Sequence, residues 1–351
     1  MSSIELRQHR PGDDDGILAL KCAVFPGLIA ANERRRWEWE FDANPAPPPP
    51  FPRAFVLERA GAIVGAFVFL PYRVQLGDDV VVGASGIDLC IAPDARGGGR
   101  VHEMVRRWLE PGFSDFPFAV ALNDASRHLF TKHGAVLLGG LGESIAWGRF
   151  LAQPFEPAAR ELLDVERITD LPVDTDVLWE KVRRDHRLLL VKDTAYLRWR
   201  WRDFPFGGVT MLRAAGPRGE TRGLAMVQDD PKAQDAYVAE LLHAAGDDAA
   251  QRSLLRSAVE AARAAERRVL WASTRDARQL PVLRDEGFAL VPAPVPTFCA
   301  RIHAPPRGGA VAVTEWATAI GDGDQLFSCN EPRQEARPGC NEPRDAPAGG
   351  P

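Results

Sequence analysis

Two stretches constrain this chain more than any others: "WEWEFDANP", Trp37 to Pro45, and "WRWRDFP", Trp199 to Pro205. Each sets two tryptophans one residue apart and alternates them with charges, Glu38 and Glu40 in the first, Arg200 and Arg202 in the second. Each soon reaches an aromatic and a proline. A chain that writes so rare a pattern twice, about half its length apart, reads as a tandem duplication of one structural unit.

The surrounding patterns repeat in the same order. In the first half a strand, "SIELRQH", precedes a helix, "DDDGILALKCAVF", with acidic residues in its first turn. The first tryptophan helix, "ANERRRWEWEFDANP", follows, and then a stiff connector, "PAPPPPFP". A hairpin, "RAFVLERAG" with "AIVGAFVFLPYRV", leads to a long strand in "VVVGASGIDLCIAP". After the turn "DARGGG" comes an amphipathic helix, "RVHEMVRRWLE", then strand "FAVALND", helix "ASRHLFTKHG" and strand "AVLLGGLGESIAW". The second half offers "VERITDLP", "DVLWEKVRRDH", "DTAYLRWRWRDF", a hairpin, "AYVAELLHAA", "AAQRSLLRSAVEAARAAERR", "RVLWAST" and "DARQLPVLRDEGFALV". Asp193 is placed to cap the second tryptophan helix.

A length of 351 residues suits two domains. Net charge is −5, which argues against a general nucleic-acid binder. The N-terminus lacks the apolar core of a signal peptide, and the longest apolar run, "AIVGAFVFLP", is too short to cross a bilayer. These readings predict a cytoplasmic protein without membrane or nucleic-acid partners. Five scattered cysteines fit a reduced compartment, and no Cys/His spacing suits zinc, so no metal is expected. Residues 304–327 read as a terminal strand pair or extension, and 328–351 as a disordered tail. The tail's near-repeat "CNEPR" could offer Cys329 and Cys340 to a metal, but a low-complexity extension is the simpler account.

The turn between the long strand and the amphipathic helix carries the most chemistry. A diphosphate needs several backbone N–H groups converging at a helix start, and glycine lets the backbone come close. Gly97, Gly98 and Gly99 give that freedom, while Arg96 and Arg100 add positive charge. An ordinary tight turn is the alternative. Val101, which begins the helix's apolar stripe, is expected in the core and implies a looser cradle.

The order of elements, with "IDLCIAPDARGGGRV" and "NDASRHLFTKHGA", resembles the GNAT superfamily of acyl-CoA-dependent N-acetyltransferases. Ile91, Pro93, Arg96 and Gly99 match the first motif, and Val101 replaces its final small residue. Asn123, Phe130, Gly134 and Ala135 occupy the second motif, with Phe130 where tyrosine is common. The resemblance covers most of residues 1–150 and, more weakly, 165–303. It implies an α/β protein of two tandem GNAT-like domains, each a mixed, mainly antiparallel sheet flanked by helices. Residues 1–150 would bind acyl-CoA, 151–164 would be a linker, and 165–303 a degenerate copy.

The resemblance also implies a reaction: an acetyl group passes from acetyl-CoA directly to a primary amine of a small molecule or sugar. The pantetheine arm would lie along Leu89, Cys90 and Ile91, one of whose N–H groups would face the thioester carbonyl. Arg96 to Val101 would hold the diphosphate, and Asn123 and Phe130 would border the donor. Asp88 is the first candidate base, against a structural hydrogen bond as the alternative. Cys90 would act through its backbone, its thiol reading as core. Trp37, Glu38 and Glu40 would lie on the acceptor side, packing and a solvated face being the alternatives. Phe130 cannot protonate the departing thiolate. In the second half, "HAAGDDAAQRS" puts Asp247 and Asp248 where phosphates would sit, which predicts no CoA there. Two other functions stay open: a non-catalytic acyl-CoA sensor or scaffold, favoured by Val101 and Phe130, and an aminoacyl transferase of the related tandem fold.

Overall fold

The computed structural model describes residues 3–121, 124–138, 145–157, 159–272, 274, 276–292, 297–303, 307 and 309–316. Its first half runs β1 (Ile4–Gln8), α1 (Asp14–Val24), α2 (Ala30–Phe41), β2 (Ala54–Arg59), β3 (Ala62–Leu76), β4 (Asp79–Ile91), α3 (Arg100–Trp108), β5 (Pro117–Ala121), α4 (Asp124–Lys132), β6 (Val136–Leu137) and β7 (Ile145–Phe150). The second runs β8 (Asp164–Ile168), α5 (Thr175–Val182), β9 (Leu188–Leu190), α6 (Thr194–Leu197), β10 (Val209–Ala215), β11 (Thr221–Asp230), β12 (Asp235–His243), α7 (Asp248–Ala264), β13 (Val269–Ala272), α8 (Leu280–Asp285), β14 (Ala289–Pro292) and β15 (Thr297–Ala300).

Two mixed sheets flanked by helices result. The first has the order β1-β2-β3-β4-β5-β15-β6, with β9 added beside β3, and the second the order β8-β10-β11-β12-β13-β7-β14. Position by position the two orders agree, and each has a parallel pair at the same place, β4 with β5 and β12 with β13. The last strand of each repeat, however, lies in the other sheet. β7 enters between β13 and β14, while β15 enters between β5 and β6. The boundary expected at residue 150 is therefore corrected: residues 145–150 belong to the second sheet and 297–300 to the first. Sequence periodicity identifies a strand but says nothing of which edge accepts it.

The tryptophan pairs follow from helix geometry. Positions two apart on a helix face nearly opposite ways. In α2 both Trp37 and Trp39 are buried, so the helix has apolar surroundings on two sides. Trp37 packs on Phe41, with ring centroids 4.4 Å apart. Trp39 stacks on Trp199 at 4.9 Å. Each of the stacked indoles donates its N–H to the other's carbonyl, at 2.9 and 2.8 Å. Such reciprocity is the mark of a two-fold contact. The second stretch begins as α6, whose N-cap Asp193 accepts from the Tyr196 amide, and widens into a π-turn over Arg198–Arg202. That turn buries Trp199, Arg200 and Trp201 in succession.

Residues 304–327, expected as a terminal strand pair or extension, fall largely outside the described residues. Val313–Glu315 make a short 3-10 turn, and Trp316 bridges to Leu188, buried against Phe116, Phe118 and Phe298. The tail expected at 328–351, with both CNEPR copies, lies outside the described residues.

Candidate functional site

β4 is where the first sheet opens. Its parallel pairing with β5 covers only Ala84, Ser85 and Gly86, after which the strands part. On its other side the register with β3 skips: Ile87 pairs with Val68 and Cys90 with Ala66, leaving Asp88 and Leu89 together opposite Phe67. This is a β-bulge, which bends a strand and interrupts its ladder. Asp88 adopts φ +49° to make it. Among the described residues Asp88 and Leu89 thus have no one-to-one register partner on β3 or β5.

The opening leads into a pocket of about 730 Å³. Leu89, Cys90 and Ile91 form one wall and Arg96, Gly97, Gly99 and Val101 another, so most of the expected donor residues meet here. Gly97, Gly98 and Gly99 have φ of +98°, +64° and +72°, a run that only glycine adopts readily. Among the described residues no side chain caps α3, and uncapped first-turn N–H groups of a helix suit an anion. Arg96 reaches the Ile91 carbonyl at 3.3 Å, and Arg100 folds back to the Gly97 carbonyl at 3.0 Å. Beside the turn Arg59, Arg96 and Arg100 border a second cavity of about 470 Å³.

Several expectations change. Val101 is half-buried on the pocket wall, not in the core. Phe130 is in the core, 6.5 Å from Phe67 and 5.5 Å from Trp108 between centroids. The face of α4 turned to the pocket instead carries Ser126, Leu129 and Lys132, with His102 of α3 opposite. Adjacent residues on a helix point about 100° apart, so Phe130 faces the core where Leu129 faces the pocket. Asn123 lies outside the described residues. Burial raises the Cys90 thiol to about 12, with Asp88 adding to the effect, so the thiol is no nucleophile.

Asp88 is no free base either. Its carboxylate meets Lys21 Nζ at 2.7 Å and Arg36 Nη2 at 3.8 Å. Burial alone would raise its pKa, but the charges of Lys21 and then Arg36 prevail and hold it below the usual range. Lys21 also pairs with Glu33, and Arg36 Nε donates to Glu40 at 2.8 Å. Five charged groups from α1, α2 and β4 therefore share one interior, three acidic and two basic. Glu40 absorbs the imbalance. It is 1% exposed, and burial first, with Asp88 next among the raising causes, lifts it to about 7. Glu38 projects to solvent, and Trp37 is buried with its indole N–H unpartnered among the described residues. Lys21 was the missed residue. Its signal was a lone lysine amid the apolar residues of "ILALKCAV".

The second sheet repeats the bulge, since Val238 pairs with Val227 and Glu240 with Met226. There the helix start is closed. Asp247 caps α7 by accepting from the Ala250 amide at 3.1 Å, and it holds Arg222 at 2.6 Å. A carboxylate of the chain thus takes the position an anion would need.

No protein-family model and no curated protein matches the sequence. Solved structures do match in fold. A conserved protein of unknown function from Enterococcus faecalis, described as a probable N-acyltransferase, is 12% identical over 86% of this chain and 73% of its own, with a TM-score of 0.62. A GCN5-related N-acetyltransferase from Anabaena variabilis is 13% identical over 86% and 73%, with a TM-score of 0.59. Saccharomyces cerevisiae N-myristoyltransferase with bound myristoyl-CoA is 11% identical over 90% and 88%, with a TM-score of 0.51. The chain has the GCN5-related N-acetyltransferase fold, in two mixed α/β units. Among the described residues no helix is long and apolar enough to cross a membrane.

Proposed function

We propose that this chain is an acyl-CoA-dependent acyltransferase, with acetyl-CoA as donor and a primary amine of a small molecule or sugar as acceptor. The observation that carries the reading is continuity. The β4 bulge, where the strand leaves its register with β3 and parts from β5, opens into one pocket that ends at the start of α3. Acyl-transferring neighbours of the same fold, one holding an acyl-CoA, support it.

In this reading the diphosphate sits over Gly97–Gly99, attracted by Arg96 and Arg100, and the pantetheine arm runs along Leu89–Ile91. The thioester carbonyl lies at the bulge, where a backbone N–H stabilises the oxyanion as the amine nitrogen attacks the carbonyl carbon. The C–S bond then breaks, and the sulfur leaves as thiolate, whose modest basicity makes a proton donor dispensable. With Asp88 committed to Lys21, the ammonium proton passes to water. The second unit, closed by Asp247, takes no donor and walls the acceptor side. A steady-state assay with acetyl-CoA and a panel of primary amines tests the function. Tight acetyl-CoA binding with no turnover on any amine would favour a sensor instead.

A further inference from the structure

Asp88 is, among the described residues, the one non-glycine with positive φ inside a strand; Ala60, Gln234 and Glu266, the others, sit in turns. A left-handed residue is disfavoured in a strand and persists only where its surroundings hold it. Here the hold is visible. Lys21 from α1 and Arg36 from α2 approach opposite oxygens of the Asp88 carboxylate, and each is itself tied down, by Glu33 and Glu40. Lys21, Glu33, Arg36 and Glu40 are all at most 7% exposed. Such a buried network tolerates little displacement, because breaking one pair leaves a charge without a partner.

We infer that Lys21, Arg36 and Asp88 form a clamp that fixes the β4 bulge, making them positioning residues for the backbone amide facing the thioester. The clamp links the first two helices of the unit to the bulge where β4 leaves its register with β3 and parts from β5. It acts through the direction of the Leu89 peptide and takes no part in proton transfer. This inference rests on the function proposed above only for its catalytic consequence; the geometric claim stands by itself.

Three variants of the full chain separate the possibilities. Asp88→Gly accepts positive φ but removes the clamp, Asp88→Asn tolerates that φ and keeps an acceptor for Lys21, and Lys21→Met breaks the pair from the other side. The first readout, hydrogen–deuterium exchange over residues 86–91, needs no substrate. Exchange should quicken about tenfold in Asp88→Gly and Lys21→Met and less in Asp88→Asn. The second is turnover with acetyl-CoA and an active amine. In Asp88→Gly, kcat should fall about tenfold or more while KM for acetyl-CoA stays within about threefold, with partial rescue in Asp88→Asn. The defect should be as large at alkaline as at neutral pH, since no base has been lost. Unchanged exchange in Asp88→Gly overturns the clamp whatever the activity. A kcat defect that disappears at alkaline pH overturns it too, returning Asp88 to the role of proton acceptor. Should Lys21→Met fail to fold, Asp88→Gly still decides. A wild-type chain that binds no acetyl-CoA would refute the proposed function, and the exchange result would still judge the clamp.

Discussion

At the scale of single residues, charge separates the donor site from its counterpart in the second half. Arg96→Glu puts a negative charge beside the proposed diphosphate and should weaken acetyl-CoA by a few kcal/mol, on the order of a hundredfold in Kd by calorimetry. Arg252 is unsuitable as the matching control. It is buried and donates to the fully buried Glu286 at 2.9 Å, so its reversal would lower stability first. Arg218→Glu, in an exposed turn, is the better control and should leave Kd unchanged. Glu40 gives a pH prediction. Its pKa is raised in the folded state to about 7 from an ordinary 4.5, so between those values the native chain keeps a proton that the unfolded chain has lost. This group therefore costs stability progressively as pH rises through that window. Glu40→Gln should flatten this pH dependence between acid and neutral pH in paired denaturant melts. Parallel curves would mean that Glu40 ionises normally.

Among elements, the β4 opening depends on what packs beneath it. A Cβ on Gly86 would come 2.6 Å from the Phe67 ring and 3.3 Å from Trp108. Gly86→Ala should therefore destabilise by about 1–3 kcal/mol and disturb the floor of the opening, lowering Tm and acetyl-CoA affinity together. Phe130→Tyr looks harmless from sequence, since it adds one hydroxyl at a helix position. In the structure the ring of Phe130 lies among Phe67 and Trp108, so an added hydroxyl there should cost about 1–3 kcal/mol unless it finds a partner. An unchanged Tm in the Phe130→Tyr variant would show that the ring edge reaches a polar neighbour.

For the whole molecule, the exchange of β7 and β15 makes each sheet depend on both halves of the chain. Residues 1–150 expressed alone would lack the strand between β5 and β6 and would carry a strand with no sheet to join. Such a fragment should aggregate or show no cooperative melt, whereas the full chain should unfold in a single transition. The stacked pair adds to this coupling. Trp39→Ala and Trp199→Ala should each cost about 3–5 kcal/mol, and the double variant clearly less than their sum, because each removes the other's partner.

Much of this was set by local sequence. Strand alternation, the stripe of α3, the glycine turn and the doubled tryptophans each specify local structure through short-range sterics and periodicity, and the matching order of the two halves followed from them. Even the closure of the second helix start was legible, as carboxylates in the place of an anion. What sequence could not supply were facts about distant segments meeting. Which sheet takes the last strand depends on the relative placement of two units, and strand propensity is the same at either edge. Phe130 and Leu129, adjacent in sequence, were separated into core and pocket only by how α4 rotates against its sheet. Sequence leaves Asp88 between a base and a structural hydrogen bond, and the partner that decides, Lys21, lies 67 positions away. A carboxylate's chemistry is set by the charges within a few ångströms, and only the tertiary fold decides which those are.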